Sequence, residues 1–389
     1  MRMRIVADRN IPGAADAFAR FGEVVTLSSS AITREAVRDA DLLLVRSTVK
    51  VGPALLEGSR VRFVATATIG IDHLDVVWLE AQGIAWASAP GSNAPSVLQW
   101  MAAALLRAAR HLGRDVGSLR VGVVGVGAVG GRVARLLRAV SRETGGPAPL
   151  LCDPPRARAE GAAAEPEGLV ELDALLAEAD LVTLHVPLTR GGSDPTLGLF
   201  DGARLGAMRR GAILVNAARG EVVDGAALLA ALDRGHLAGA LLDCLPSEPT
   251  PDPALVARAL VATPHIAGHS LDGKYAGTRM VYEAACAFLG VAPDWTPPLP
   301  PAPPLTVDTT GLSAAAAIVE AVRAGYTLDD DDAALRRIVA LPDGERGTAF
   351  RAYREAYPPR RELRARSLTF SPTCDPAARA IASLNAALW

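Results

Sequence analysis

Cysteine is scarce. Four occur in 389 residues, Cys152, Cys244, Cys286 and Cys374, and no two lie close together in sequence. That spacing offers neither a metal-ligand set nor a disulfide framework, so it predicts free thiols, no bound metal and a reducing, cytoplasmic compartment. Charge of one sign is lacking as well. Lys and Arg number 40 against 42 Asp and Glu, a formal net charge of −2, which argues against a nucleic-acid or membrane-surface partner for the whole chain. No apolar run is long enough to span a bilayer. The first residues carry a short apolar run followed at once by Asp8, which is not the build of a signal peptide. Lysine is scarce beside arginine and alanine is abundant, a bias that reads as genome composition rather than function.

Apolar residues and glycine are plentiful. Half the residues are hydrophobic, enough for sizeable cores, and the length predicts two or three domains. Residues 121–130 read Val-Gly-Val-Val-Gly-Val-Gly-Ala-Val-Gly. The run begins as a buried parallel strand. It turns through Gly125, Gly127 and Gly130 into residues 132–138, whose apolar positions recur at helical spacing. This strand–turn–helix order is the context a dinucleotide fingerprint requires. Gly125 permits the tight turn, Gly127 lets backbone approach a pyrophosphate, and Gly130 lets helix and strand pack closely. The phosphates would meet free N–H groups at the helix start. The next short apolar run ends at Asp153, where an acid accepts hydrogen bonds from the adenosine ribose and repels a 2′-phosphate, favouring NAD over NADP. Arg156 and Arg158 follow closely and leave NADP open.

Strand and helix signals alternate along the chain. Strands are expected at 4–7, 24–27, 42–45, 63–66 and 84–87, then at 181–184, 212–215, 238–242 and 259–262, with helices between them. The expected fold class is α/β, with two doubly wound, Rossmann-like parallel-sheet domains and a small α+β C-terminal domain. Residues 1–95, completed by about 273–294, form the first domain, and 96–272 the cofactor domain. A proline-rich linker at 295–304 is stiff and extended. Residues 305–389 are expected to fold separately, so that the α/β domains stay folded and keep their cofactor without them.

Chemistry gathers past strand ends, where open α/β sheets bind ligands. Asn216 and Arg219-Gly220 follow one strand, Asp243 and Glu248-Pro249 the next, and Thr263-Pro264-His265 another. Oxidation of a 2-hydroxy acid needs a base for the hydroxyl proton and a cation for the carboxylate. His265 suits the first role, with Glu248 to orient it. Arg219 offers a planar fork for the second. Each alone has a plainer reading: a solvated arginine, a Glu-Pro turn, a structural histidine, a capping aspartate.

Taken in order, these motifs resemble the D-isomer-specific 2-hydroxyacid dehydrogenases. Residues 45–51, 65–73, 89–93 and 151–155, with 326–336 and 350–361 in the tail, are similar to the branch that oxidises a phosphorylated four-carbon D-2-hydroxy acid in pyridoxal 5′-phosphate biosynthesis. The resemblance implies that Arg219, Glu248 and His265 are the active-site residues. It implies NAD contacts at Asp153, Asp243 and Gly268 and at the backbone of Ala128, Val129 and Val186. It assigns Ser47 and Thr68 to the substrate, and makes the C-terminal domain a homodimer interface. His269 stands where that branch has a substrate-touching tyrosine, Val186 where the family often has threonine, and Leu245 where it has tryptophan. A related enzyme acting on 3-phosphoglycerate or an unphosphorylated acid, and a non-catalytic NAD(H) sensor, are the alternatives. Arg351, Arg354, Arg360 and Arg361 are candidates to reach a partner's substrate phosphate beside Arg46 or Lys50.

Overall fold

The computed structural model describes residues 2–160 and 168–388. The chain forms two compact units, Met1–Asn93 with His269–Pro301, and Ala94–Gly268 with Ala302–Trp389.

The first unit holds β1 (Met3–Asp8), β2 (Gly22–Leu27), β3 (Leu42–Val45), β4 (Phe63–Thr66) and β5 (Ala85–Ala87). They form a parallel sheet in the order β2-β1-β3-β4-β5. Its central strands are buried on both faces, which is why they read as unbroken apolar runs. The period of two still shows in what each side chain meets. Ile5, Ala7, Leu42, Leu44, Phe63 and Ala65 pack under the helix Leu271–Leu289 through Val281, Tyr282, Ala285 and Cys286. Val6, Leu43, Val45 and Val64 pack on the other face with Leu55, Leu56 and Leu79. Ser270 caps that long helix by accepting from the Gly273 N–H at 2.9 Å. The head of the proline-rich segment is tied down rather than loose: the Trp295 indole donates to Asp16 at 2.7 Å.

The second unit holds β6 (Val121–Val124), β7 (Leu150–Cys152), β8 (Leu181–Leu184), β9 (Ile213–Asn216), β10 (Gly239–Leu242) and β11 (Val261–Ala262). This parallel sheet runs β7-β6-β8-β9-β10-β11. The chain winds from β6 outward to β7 and then returns to β8 on the other side. The strand order therefore reverses at β6, where doubly wound sheets open a ligand crevice beyond their carboxyl ends.

Residues 302–389 belong to this second unit. They form β12 (Leu305–Asp308) and β13 (Leu368–Ser371), a two-stranded parallel sheet, with helices Ala314–Arg323, Asp329–Val339, Asp343–Glu355 and Asp375–Leu388. Their apolar residues do not close a core of their own. Ala315, Ile318, Val319 and Val322 share one core with Trp100, Ala104, Val133 and Leu137. Leu335, Ile338, Val339 and Phe350 share another with Leu242, Leu255 and Val256. Small alanine side chains on the 94–111 and 314–323 helices allow the close approach. The tail also buries acids, and one of them, Asp331, 4 % exposed, accepts the hydroxyls of Tyr326, Tyr353 and Tyr357 at 2.7–3.0 Å.

Candidate active site

The glycine turn after β6 is built for a close-lying ligand. Gly125 has φ +86°, and a Cβ there would sit 2.8 Å from the His185 carbonyl and 2.9 Å from Val186 Cγ1. A Cβ on Gly130 would meet the Gly125 carbonyl oxygen at 1.9 Å, so only glycine lets the helix Gly130–Thr144 start this close to β6. Gly127 faces open space, and the Ala128-Val129 backbone leads into the helix start, where N–H groups and the helix dipole suit a phosphate. Asp153 sits at the end of β7. One carboxylate oxygen accepts from the Val126 N–H at 2.8 Å and the other from the Arg156 N–H at 3.1 Å, so the acid also braces the turn. Of the two nearby arginines, Arg156 donates to the Val126 carbonyl of the same turn at 3.2 Å, and Arg158 pairs with Asp194. Next to Gly125, desolvation pushes the His185 imidazole down to about 3, so it is neutral. Its Nε2 meets Thr183 Oγ1 at 3.0 Å. The sequence reading passed over His185, although its place just before Val186, past the end of β8, was the available signal.

The three expected catalytic residues emerge side by side. Asn216 of β9, Leu242 of β10 and Ala262 of β11 are in register, so the loops that follow start at one level. Asn216 stitches two of them, donating to the carbonyls of Arg219 at 2.9 Å and Cys244 at 3.1 Å. A Cβ on Gly220 would meet the Leu245 carbonyl oxygen at 2.0 Å, which is how the Arg219 turn comes to lie on the 243–248 loop. His265 Nδ1 lies 2.7 Å from Glu248 Oε2, and Glu248 Oε1 accepts from the Leu245 N–H at 2.7 Å. Burial alone would raise the Glu248 carboxyl. His265, the Leu245 N–H and Arg354 outweigh it and hold the group below the usual carboxylate range.

His265 itself has φ +55°, a left-handed conformation that a non-glycine residue keeps only where its surroundings over-determine it. Asp243 does much of that. Its carboxylate, in a residue 2 % exposed, accepts from the N–H groups of Ile266 at 2.8 Å and Ala267 at 3.0 Å and from Thr263 Oγ1 at 2.6 Å. Asp243 is thus the builder of the loop that presents His265 and Gly268. Cys244, Glu248 and His265 bring ligand-type atoms within 4.8 Å of one another. Burial, then Asp243 and Glu248, push the Cys244 thiol well above its usual range, so it stands as a protonated thiol beside the pair.

In the first unit, Ser47 and Thr68 follow the paired ends of β3 and β4, where Val45 is in register with Thr66. Ser47 is exposed and Thr68 half-buried, with Thr68 Oγ1 2.7 Å from Thr66 Oγ1. His269 directly precedes the cap of the helix Leu271–Leu289. In that helix's first turn lies a cation the sequence reading missed: burial and the neighbouring Arg46 push Lys274 down. Its signal was position, straight after His269 and the capping Ser270. Arg354, considered from sequence only for a partner's site, helps hold Glu248 of its own chain ionised.

A family model described as D-isomer specific 2-hydroxyacid dehydrogenase, NAD binding domain, matches residues 92–267. The erythronate-4-phosphate dehydrogenase of Salinibacter ruber is 48% identical over 367 residues, spanning 93% of this chain and 92% of that protein. The erythronate-4-phosphate dehydrogenase of Pseudomonas aeruginosa is 45% identical over 372 residues, 93% of each. Among solved structures, the D-lactate dehydrogenase of Aquifex aeolicus in complex with NAD and lactic acid covers 74% of this chain and 95% of its own at 22% identity, with a TM-score of 0.60. That last likeness is one of fold.

Proposed function

We propose that this chain, which belongs to the D-isomer-specific 2-hydroxyacid dehydrogenases and within them to the erythronate-4-phosphate dehydrogenases, oxidises 4-phospho-D-erythronate to 2-oxo-3-hydroxy-4-phosphobutanoate with NAD, in pyridoxal 5′-phosphate biosynthesis. The observation that carries the reading is the His265–Glu248 pair, 2.7 Å apart, beside the Arg219 turn at the ends of three adjacent strands.

Bound NAD supplies the hydride acceptor for the hydrogen on C2, and Gly125, Gly127, Gly130, Asp153 and the backbone of 128–129 are the residues that fit it. The C2 hydroxyl must lose its proton as its carbon becomes a carbonyl. Glu248 holds His265 through Nδ1, which leaves Nε2 to take that proton. The ionised Glu248 then stabilises the imidazolium that forms. Arg219 suits the C1 carboxylate, since its guanidinium presents paired donors in a plane. Ser47, Thr68 and His269 are assigned to the substrate, with Arg46 and Lys274 supplying the positive charge that a phosphate dianion needs.

Purified protein with NAD and 4-phospho-D-erythronate should generate NADH absorbance, with a higher kcat/KM than for 3-phosphoglycerate or unphosphorylated D-2-hydroxy acids. NAD should give a higher kcat/KM than NADP, since Asp153 repels a 2′-phosphate. A preference for 3-phosphoglycerate would move the substrate assignment. Absence of turnover with every acid would leave a binding protein.

The chain is further proposed to work in the cytoplasm, in keeping with its four free thiols, and no described helix is long and apolar enough to cross a membrane. It is also proposed to form a homodimer through residues 305–389, the segment whose likeness to the family's dimerisation domain supports this reading. Light scattering on the intact protein should give about twice the 40.4 kDa chain mass; a single-chain mass would remove the interface.

A further inference from the structure

The loop that carries His265 is held on two sides. Asp243 takes its N–H groups from within, at Ile266 and Ala267. The Ala267 carbonyl faces the other way and receives two donors, Ser96 Oγ at 2.7 Å and the Arg360 guanidinium at 2.6 Å. Arg360 also donates to Ser96 Oγ. It is 9 % exposed and its guanidinium lies 4.2 Å from the centre of the Tyr326 ring, a geometry that attracts a cation to an aromatic face. Tyr326 is fixed in turn by its hydroxyl on Asp331. The C-terminal segment therefore reaches the proton-transfer loop through one buried charge on a short chain of fixed groups.

We infer that Arg360 is a positioning residue for proton transfer, locking the 265–268 loop so that His265 keeps its left-handed backbone and its register with Glu248. The inference rests on His265 being the base. A trans peptide points its C=O and N–H in opposite directions, so fixing the Ala267 carbonyl also fixes the direction of the Gly268 N–H, at a position expected to contact NAD. Without Arg360, Ala267 O keeps Ser96, but the two groups lose the charge that binds them to the tail. A displacement of about 1 Å at the base costs on the order of 10²-fold in rate.

The test compares Arg360→Met in the wild-type and His265→Asn backgrounds, with NAD affinity followed by fluorescence titration and folding by thermal melting. Arg360→Met should lower kcat by about 10–100-fold, with the KM for the phosphorylated acid and the NAD affinity changing less than about threefold. In the His265→Asn background the same change should alter kcat by less than about threefold, because residues acting as a unit are not additive. Arg360→Lys, which keeps the charge and a donor for Ala267 O, should recover part of the rate. An unchanged kcat in Arg360→Met, an equal loss in both backgrounds, or no difference between the Lys and Met variants would overturn the proposal. Should Arg360→Met fail to fold, Arg360→Lys in the two backgrounds carries the same comparison. Full turnover in His265→Asn alone would instead mark failure of the base assignment.

Discussion

His265→Asn should lower kcat by roughly 10²–10⁴-fold, the usual contribution of a positioned general base, while NAD affinity stays close to that of the unaltered protein. Asparagine is the informative replacement. Position 265 has φ +55°, and asparagine tolerates the left-handed region better than other non-glycine residues, so the loop is not asked to refold. The side chain still presents polar atoms toward Glu248 but cannot accept the substrate's proton at neutral pH. NAD binding should survive because the turn at 125–130 and Asp153 are bonded to one another and not to His265. Steady-state kinetics and a fluorescence titration on one preparation separate the two effects. Near-normal turnover in this variant would mean that another group takes the proton.

Ending the chain at residue 304 should abolish the cooperative melt of the second unit and its NAD binding. Ile318, Val319, Val322, Leu335 and Phe350 are all at most 1 % exposed and lie in cores shared with the nucleotide-binding sheet. Fully burying each such side chain is worth about 1.5–3 kcal/mol, so together they rival the whole net stability of a domain, about 5–15 kcal/mol. Their removal would also bare the 94–111 helix and take from β11 and the helix before it the bonds that Asp332 accepts from the Ala262 N–H at 2.8 Å and that Arg336 donates to the carbonyls of Val256 at 2.9 Å and Ala259 at 3.0 Å. The sequence reading expects the opposite result, α/β domains that fold and bind NAD without the tail. A truncated protein with a sharp melt and undiminished NAD affinity, by circular dichroism and fluorescence, would show that the shared cores contribute less than their burial implies.

The parts of this molecule that were legible in the sequence are those whose cause is local. Unbroken apolar runs such as 42–45 and 213–215 are long enough to mark strands buried on both faces, and the glycines at 125 and 130 are demanded by a turn only five residues across. The motif order past β9, β10 and β11 was legible because each catalytic side chain lies within a few residues of its strand end. What escaped depends on contacts between distant segments. An alanine-rich amphipathic helix such as 314–323 looks the same whether it covers its own domain or another's, so the tail read as a separate domain. Arg354 and Arg360 could not be told from solvated arginines, since nothing local records that Glu248 or Ala267 lies across from them. The part Asp243 plays in building the loop was hidden, because its three donors, Thr263 Oγ1 and the N–H groups of Ile266 and Ala267, come from residues 20 to 24 positions later. Lys274 is made unusual by burial and by Arg46, more than two hundred residues before it.

The two units are each assembled from two stretches of chain, and the stretches alternate. This interleaving sets an order of completion during synthesis. The five-stranded sheet is finished by residue 87, yet the face bearing Ile5, Leu42 and Phe63 is only partly covered, by Ile11, Ala14, Ala17 and Phe18, until the helix at 271–289 leaves the ribosome. The nucleotide-binding sheet in turn waits for the last eighty or so residues. The first unit therefore cannot mature before the second has begun, and the nascent protein carries open apolar surface until both later stretches have been made, the condition under which chaperones are recruited.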